Sequence, residues 1–365
     1  MVEYVGSQAR IAFAREDPTQ AYGTRAAAFG GTGGSTSPRF IGIANQAIDL
    51  PDKTLDVRQY RSFGTGRKWF LNKPGRRERN GTISFLPTTA ELFYYGFGAE
   101  TFTADTPSAG INTHVLTPAN VPRLPSMTLA SSLSGDPDFM RVYTGVTVDS
   151  LSLTLSESAE LTCAMDIKAK NLVDSSDSAT LGWDVVSPTL FTQPTNDGTG
   201  APMPYMFHDR AANVTVGGVY DYTGNTMTLG SNGSTIARVV GFSCSINNNL
   251  KTKYYTQSED AQDPFNYLTS YPDFSLSMEI VPAGKIAGDV DALYHYLESE
   301  IQGDVLIPFQ AAADRRLDFV FEDCFFRTAP HSLPDDGSEI VVSVDVAPEE
   351  FRIVARDGLT AYSGL

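Results

Sequence analysis

The chain has few cysteines, few lysines and no long apolar run, and each shortage excludes a class of protein. Its three cysteines, Cys163, Cys244 and Cys324, stand far apart, which argues against a disulfide framework or a zinc site and predicts three small buried side chains. No apolar stretch approaches the roughly 20 residues that span a bilayer, so no membrane partner is expected. The start, MVEYVGSQAR, has no basic segment followed by an apolar one, which favours synthesis in the cytoplasm without a signal peptide.

Catalytic motifs are also missing. The four histidines are scattered without metal-binding spacing, and neither a nucleophile elbow nor a dinucleotide fingerprint occurs. The glycine-rich stretch Phe29–Ser35 resembles a phosphate loop only superficially, because it has no lysine and no apolar strand leads into it. Carboxylates are plentiful, yet no pair stands out as an acid and base. The sequence therefore predicts a protein that is not an enzyme, with no catalytic residue, no metal and no cofactor.

The charge is strongly negative. The net charge is −16, with Asp outnumbering Glu 28 to 15 and Arg outnumbering Lys 19 to 8. Many short carboxylates and few lysines are typical of proteins that stay soluble in concentrated salt, so a halophilic source is expected. An ordinary acidic protein is the alternative. In either case so negative a surface is a poor general binder of DNA.

Alternating apolar and polar residues recur between turn signals and predict a mainly β protein with half-buried antiparallel strands. Hydrophobic residues make up 41% of the 365 residues, enough for more than one packed core. The clearest strand patterns are Gly81–Leu86, Ser150–Ser156, Glu160–Lys168, Asp273–Ile280, Leu317–Glu322 and Glu339–Val346. Helical patterns are confined to Thr88–Phe97 and Asp289–Glu300, each with a capping residue at its start.

These elements occur twice in the same order, which predicts an internal duplication. Each half has a strand, a long loop, a strand ending at a proline, a helix and three more strands. The matching pieces are Phe40–Ile48, Gly81–Leu86 and Thr88–Phe97 in the first half, and Arg238–Ile246, Asp273–Val281 and Asp289–Glu300 in the second. The predicted division is a first lobe with an N-terminal arm (1–175), a linker with a short hairpin (176–233) and a second lobe with a C-terminal arm (234–365). The alternative is that both halves are merely rich in β structure and match by chance.

Charge is segregated between the two long loops. The first loop carries eight of the 27 cations within residues 58–79, around Trp69 and Phe70, and the second carries acids. A nucleic-acid patch, a solvated hairpin tip and an assembly contact all remain open. The assembly contact is favoured, because a basic, aromatic loop suits an acidic surface of a neighbouring subunit. The candidate interface residues are Arg67, Lys68, Trp69, Phe70, Lys73, Arg76, Arg77 and Arg79, with Glu259, Asp260 and Asp263 opposite.

Four segments together resemble a known family. They are Arg15–Thr24 (REDPTQAYGT), Asn80–Pro87 (NGTISFLP), Tyr95–Gly98 (YGFG) and Tyr143–Leu153 (YTGVTVDSLSL). In this order they resemble the tail tube proteins, or major tail proteins, of siphovirus-like viruses with long non-contractile tails. The likeness covers Arg15–Lys170 and again Arg238–Val354, and the acidic composition favours a virus of a halophilic archaeal host.

The resemblance implies two β-sandwich or barrel lobes, each flanked by one helix, in a structural protein of the virion tail. Such subunits close into rings through strand pairing, the rings stack into a tube, and viral DNA passes through the bore without specific binding. Two lobes per chain imply a ring of three copies, with a ring of six as the alternative. The expected partners are further copies of the chain and the tape measure, terminator and tail-tip proteins.

Two other functions stay open. The first is another β-sandwich component of a virion or cell surface, such as a tail terminator, a tail-tip protein or an S-layer-type protein. The second is a glycan-active or glycan-binding β-sandwich that stacks sugars on Trp69 and Trp183, although no pair of acids accompanies them.

Overall fold

The computed structural model describes residues 9–36, 38–41, 43–44, 48–61, 71–104, 111–133, 140–174, 204–209, 214–221, 226–236, 239–255, 262–281, 296–312, 315–329 and 340–364. The first half of the chain contains β1 Ala9–Arg15, β2 Arg39–Phe40, β3 Ile43–Ala44, β4 Lys53–Tyr60, β5 Leu71–Leu86, α1 Phe93–Phe97, β6 Gly98–Ala104, β7 Asn112–Pro118, β8 Met127–Leu133, β9 Met140–Leu155, β10 Thr162–Lys168 and β11 Asn171–Asp174. The second half contains β12 Val214–Asp221, β13 Thr226–Ile236, β14 Val239–Asn247, β15 Lys251–Lys253, β16 Asn266–Leu268, β17 Asp273–Ile280, β18 Gly303–Ala312, β19 Arg315–Thr328, β20 Val342–Ala347 and β21 Glu350–Asp357.

The protein is mainly β, as its alternating pattern predicted. Leu151, Leu153 and Leu155 of β9 are buried, whereas Ser152 and Thr154 between them face away from the core. Such alternation places every second side chain of a strand in the interior. The predicted hairpin Ala212–Val219 with Thr226–Leu229 is confirmed as the pair β12 and β13.

Eight strands form one antiparallel sheet, which we call the first sheet. Its order is β3, β5, β10, β9, β14, β17, β20 and the end of β19. Its buried face supplies a large part of the main core, including Cys163 and Cys244. Cys324 of β19 lies in the same core, and all three cysteines are free and buried as predicted. The pairing of β9 with β14 joins the two halves of the chain in this sheet.

Two further sheets lie on the other side of the core. One has the order β2, β1, β8, β9 and β11. The other has the order β13, β12, β18, β19, β21, β7 and β6. The long strands β9 and β19 run from these sheets into the first sheet, so that each half of the chain has two layers of strands tied together by one strand.

The two halves use their strands in the same order. In the first sheet the order along the chain is first, second, fourth, third in both groups, β3-β5-β10-β9 and β14-β17-β20-β19. The register shifts at corresponding places as well, between Asp166 and Ile167 on β10 and next to Asp345 on β20. Descent of both halves from one duplicated unit, and the three-part division of the chain, stay predictions.

The first helix is shorter than its pattern predicted. Residues Thr88–Leu92 form turns, and α1 comprises only Phe93–Phe97, without a side-chain cap at Leu92. All five residues of α1 are buried, and they pack against β6, β7 and β9. Tertiary packing in this core therefore outweighs the capping signal at Thr88. Of the second predicted helix, residues 296–299 are helical, Glu300 is in a turn, and residues 289–295 lie outside the described residues.

Candidate assembly surface

The face of the first sheet that points away from the core is small and polar. Its members on the four central strands are Thr162, Ala164, Asp166, Ser150, Ser152, Thr154, Ser243, Ser245, Asn247, Asp273, Ser275, Ser277 and Glu279. In the described part of these four strands, the one cation on this face is Lys168, whose Nζ lies 2.7 Å from Oδ2 of Asp149. We call this surface the polar face; it offers carboxylates and hydroxyls and almost no positive charge.

Asp166 is fixed on the polar face by two hydroxyl groups. Thr82 donates to its Oδ1 at 2.8 Å and Ser150 donates to its Oδ2 at 2.7 Å. Asp345 occupies the corresponding position of the second half, since each residue lies beside the register shift of its strand. Each half therefore presents a carboxylate at the same level of the polar face.

The hairpin of β4 and β5 extends away from the sheets and carries the basic loop. All eight residues of β4 are exposed, and Leu55, Val57, Tyr60 and Leu71 are exposed apolar side chains along its length. An exposed strand pair with apolar side chains and cations is typical of a surface that is covered in an assembly. The tip of the hairpin, with Arg67, Lys68, Trp69 and Phe70, lies outside the described residues.

At the base of this hairpin, basic and acidic loops meet within one chain. Asp263 accepts from Nη1 of Arg77 at 2.9 Å and from Nη1 of Arg79 at 2.8 Å. Arg79 is 4% exposed and also donates to the Lys170 carbonyl at 2.8 Å. The charge segregation thus pairs the two long loops of the same chain. The contact of these residues with a neighbouring copy stays a prediction.

A second contact lies beside the first. The guanidinium of Arg76 stacks over the ring of Tyr254, 4.9 Å from its centroid, and the Tyr254 hydroxyl donates to the Arg77 carbonyl at 3.0 Å. The Arg77 backbone amide donates to the Gln262 carbonyl at 2.8 Å. Lys73 lies farther out on β5 and is exposed. Glu259 and Asp260 lie outside the described residues.

Asn248 holds together the place where the two halves of the chain meet, which we call the joint. No sequence motif indicated this residue. Its side chain is 4% exposed, and Nδ2 donates to the carbonyls of Gly96 and Val148 at 3.0 and 3.2 Å. The Asn248 amide donates to the Asp149 carbonyl at 2.7 Å, and the Leu250 amide donates to Oδ1 of Asp149 at 2.8 Å. The turn after β14 is therefore bound directly to α1 and β9 of the other half.

Each outer edge of the first sheet ends in a strand that has one paired neighbour among the described strands. Among the described strands, β3 pairs in this sheet only with β5, and residues Phe325–Thr328 of β19 pair only with β20. Phe325, which is 42% exposed, lies on this edge. The two edge strands run in opposite directions, because all seven pairings between them are antiparallel. An open edge of this kind is a template for pairing with another chain.

The opening motif Arg15–Thr24 has a structural role. Glu16 is 4% exposed, and its carboxylate accepts from the Ser126 hydroxyl at 2.6 Å, the Thr128 hydroxyl at 2.9 Å and the Gly145 amide at 2.7 Å. Burial raises the pKa of Glu16 above its ordinary value, and the hydrogen bonds to its carboxylate offset only part of this rise. Tyr22 donates to the Gly145 carbonyl at 2.6 Å, so this motif holds the N-terminal segment against β9.

A buried cluster around His114 fixes the C-terminal segment. Glu100 of β6 accepts from the Tyr362 and Ser363 amides at 2.9 and 2.6 Å, and the His114 ring stacks on Tyr362 at 3.9 Å. Burial lowers the pKa of His114, but the carboxylates of Asp357 and Glu100 outweigh it and raise this pKa to about 9. Nothing in the sequence links these residues, because about 240 positions separate β7 from β21.

The described residues were searched for metal-binding clusters and for membrane-spanning helices. There, no three His, Cys, Asp or Glu side chains are grouped as metal ligands would be. No helix in the same part of the chain is long and apolar enough to cross a membrane.

The chain was compared with known protein families and with curated proteins. A family model described as "Phage tail tube protein" matches residues 6–283. No curated protein matches the chain.

Proposed function

Because the chain belongs to the phage tail tube protein family, a family of structural components of the virion tail, we propose that three copies close into a ring and that rings stack into the tube through which the genome leaves. The observation that carries this proposal is the first sheet. Its two groups of four strands follow the same order, and its two outer edges run in opposite directions.

Ring closure follows from the joint that the chain already contains. Within the chain, β9 at the end of the first group pairs antiparallel with β14 at the start of the second group. The end of β19 and strand β3 hold the corresponding edge positions, so the edge of one copy fits the opposite edge of the next. A head-to-tail interface closes into a ring when its rotation allows, and closure covers edges that otherwise lead to aggregation.

The number of copies follows from treating each half as one sixth of the ring. Three copies of an eight-stranded sheet would place 24 strands around the bore, with two equivalent positions per copy. This arrangement supports three copies over six, because six copies of two equivalent halves would need a ring of twice the circumference.

The polar face supplies the surface for DNA transit. In the proposed ring the core faces outward and the polar face lines the bore, with Asp166 and Asp345 forming one circle of carboxylates. Negative charge repels phosphate, and small hydroxyl side chains leave the bore smooth. The genome can then pass without binding. The basic hairpin of β4 and β5 lies off this face and is available for contacts between subunits.

The test is electron microscopy of the purified protein together with native mass spectrometry. Stacked rings or tubes with three copies per ring are expected. Rings of six copies would refute the stoichiometry, and a protein that stays monomeric at high concentration and in high salt would refute the tube. A tail terminator would give single capping rings that do not stack, which separates that alternative function.

A further inference from the structure

We propose that the surface of β17 around Tyr271 receives the β4–β5 hairpin of a second copy of this chain, with Tyr60 of that copy against Tyr271. This inference rests on the proposed ring and assigns the residues of its joint. Both tyrosines are unusually exposed for large side chains: Tyr271 on the receiving surface is 90% exposed, and Tyr60 on the hairpin is 46% exposed.

The joint inside the chain supplies the template. There, Tyr254 from the long loop of the second half covers Arg76 on β5 of the first half, with the guanidinium 4.9 Å from the ring centroid. The same tyrosine donates to the Arg77 carbonyl at 3.0 Å. In a ring of equivalent halves, the first half of the next copy packs against the second half of this copy. This contact repeats the one that the second half makes with the first half inside a single chain.

Counting along equivalent strands identifies the residues that take these places. In the sequence, Pro87 and Pro282 follow the two corresponding strands; Arg76 lies 11 residues before Pro87, and Tyr271 lies 11 residues before Pro282. Tyr271 therefore holds the position of Arg76, and it has no cover within the described chain.

The neighbouring strands identify the residue that would lie over Tyr271, as Tyr254 lies over Arg76. Asp49 forms a bridge with Thr82, and Ser243 pairs with Ser277, each partner lying five residues before its proline. Tyr254 comes 11 residues after Ser243, and 11 residues after Asp49 comes Tyr60. A tyrosine thus stands at the covering position in both halves.

Charge supports a second copy as the occupant. The hairpin presents exposed cations at Lys53, Arg58 and Lys73, whereas Asp273, two residues after Tyr271, presents an exposed carboxylate at the start of β17. The chain as a whole carries a net charge of −16, so a basic hairpin is complementary to most of its own surface. Two tyrosine rings brought together gain by edge-to-face or offset contact.

The joint between copies differs from the one inside the chain in one respect. The residue after Tyr271 is Pro272, which has no amide hydrogen, whereas Arg77 at the corresponding position donates to Gln262. The joint between copies therefore lacks that backbone hydrogen bond and depends more on side chains. We expect it to open before the joint inside the chain.

Cross-linking of the full-length protein tests the assignment. The double variant Tyr60→Cys/Tyr271→Cys is assembled and treated with a short bismaleimide. The three native cysteines are at most 1% exposed and do not compete. Covalent species that increase in size up to three copies are expected, whereas each single variant and the control pair Tyr60→Cys/Val219→Cys should stay monomeric; Val219 is 71% exposed but lies on β12.

The outcomes separate this joint from the ring itself. Rings seen by electron microscopy without cross-links in the double variant would overturn the joint and leave the ring standing. Absence of rings in the parent protein would overturn both. As a second measurement, Tyr271→Ala should raise the concentration needed for assembly by roughly tenfold while leaving the melting temperature of the monomer unchanged. Unchanged assembly of this variant would also contradict the joint.

Discussion

Nδ1 of His114 lies 2.7 Å from Oε1 of Glu100, and neither side chain is exposed to solvent. The other ring nitrogen, Nε2, lies 3.1 Å from Oδ1 of Asp357 on β21. The imidazole therefore bridges β6 of the first half and β21 of the second. Since Glu100 also accepts from two backbone amides near the C-terminus, one buried polar cluster joins the two halves and the terminal segment.

This cluster predicts a pH dependence of stability. His114 has a raised pKa of about 9 in the folded protein against an ordinary value of 6.5, so its stabilisation is complete below pH 6.5 and is lost as the pH rises to 9. The variant His114→Gln should lose about 3 kcal/mol at pH 6 and much less above pH 9. Urea unfolding of both proteins across this range measures the difference.

The comparison with the parent removes the effect of groups that titrate alike in both proteins. Glu91, which lies near this cluster and has a pKa raised to about 7 by burial, is not such a group, because the charge of His114 lowers its pKa. His208→Gln is the matched control, since that side chain is 63% exposed, and we expect less than about 0.5 kcal/mol at any pH. A loss in His114→Gln that is the same at pH 6 and pH 9.5 would show that packing, not charge, accounts for the cluster.

Asp263 predicts a large loss of stability on substitution. Asp263→Ala leaves the buried guanidinium of Arg79 without its carboxylate and should cost about 2–4 kcal/mol. Asp56→Ala is the matched control, because its pair with Arg58 is 3.8 Å long and more than half exposed on both sides. That change should cost less than about 0.5 kcal/mol. Thermal unfolding decides; equal losses in the two variants would contradict a special role for Asp263.

Asn248 predicts that the joint of the two halves depends on one amide group. Asn248→Asp keeps the size of the side chain but turns its donor into an acceptor that faces the carbonyls of Gly96 and Val148. A loss of about 2–3 kcal/mol is expected, because buried acceptors are left without donors. The same exchange at exposed Asn171, whose Oδ1 accepts from the Leu172 amide, keeps its hydrogen bond and should be close to neutral. Chemical denaturation of both variants measures this, and a neutral Asn248→Asp would remove Asn248 from the joint.

Local patterns predicted the strands well and the contacts between distant segments poorly. The run Asp273–Ile280 alternates strictly and forms β17 with the same bounds, since one face of that strand is buried. Thr88 carried a good capping signal, yet the five buried residues after Leu92 decide where α1 begins.

Charge patterning predicted that the basic and acidic loops meet, but not that Arg77 and Arg79 reach Asp263 of their own chain. Alternation and charge are properties of neighbouring residues, whereas the contacts of Asp263 with Arg77 and Arg79, and of His114 with Asp357, span 180 residues or more. No periodic signal reports such distances, and the role of Asn248 could not be predicted from the sequence for the same reason.

The polar face leads to the prediction with the most direct bearing on function. The double variant Asp166→Lys/Asp345→Lys should replace a circle of six carboxylates in each proposed ring with six ammonium groups. Both side chains lie on the solvent side of the sheet, so rings should still form. Each ammonium group can pair with a phosphate, and stacked rings repeat the contact along the tube. Genome release from particles with this variant should be slower by roughly tenfold or more at low salt, and high salt should restore part of the rate.

The matched control Asp166→Asn/Asp345→Asn removes charge without adding an attraction and should change release little. Dye-accessible DNA, followed over time after release is triggered, gives the rate, and equal rates for the lysine and asparagine variants would mean that the polar face does not line the bore.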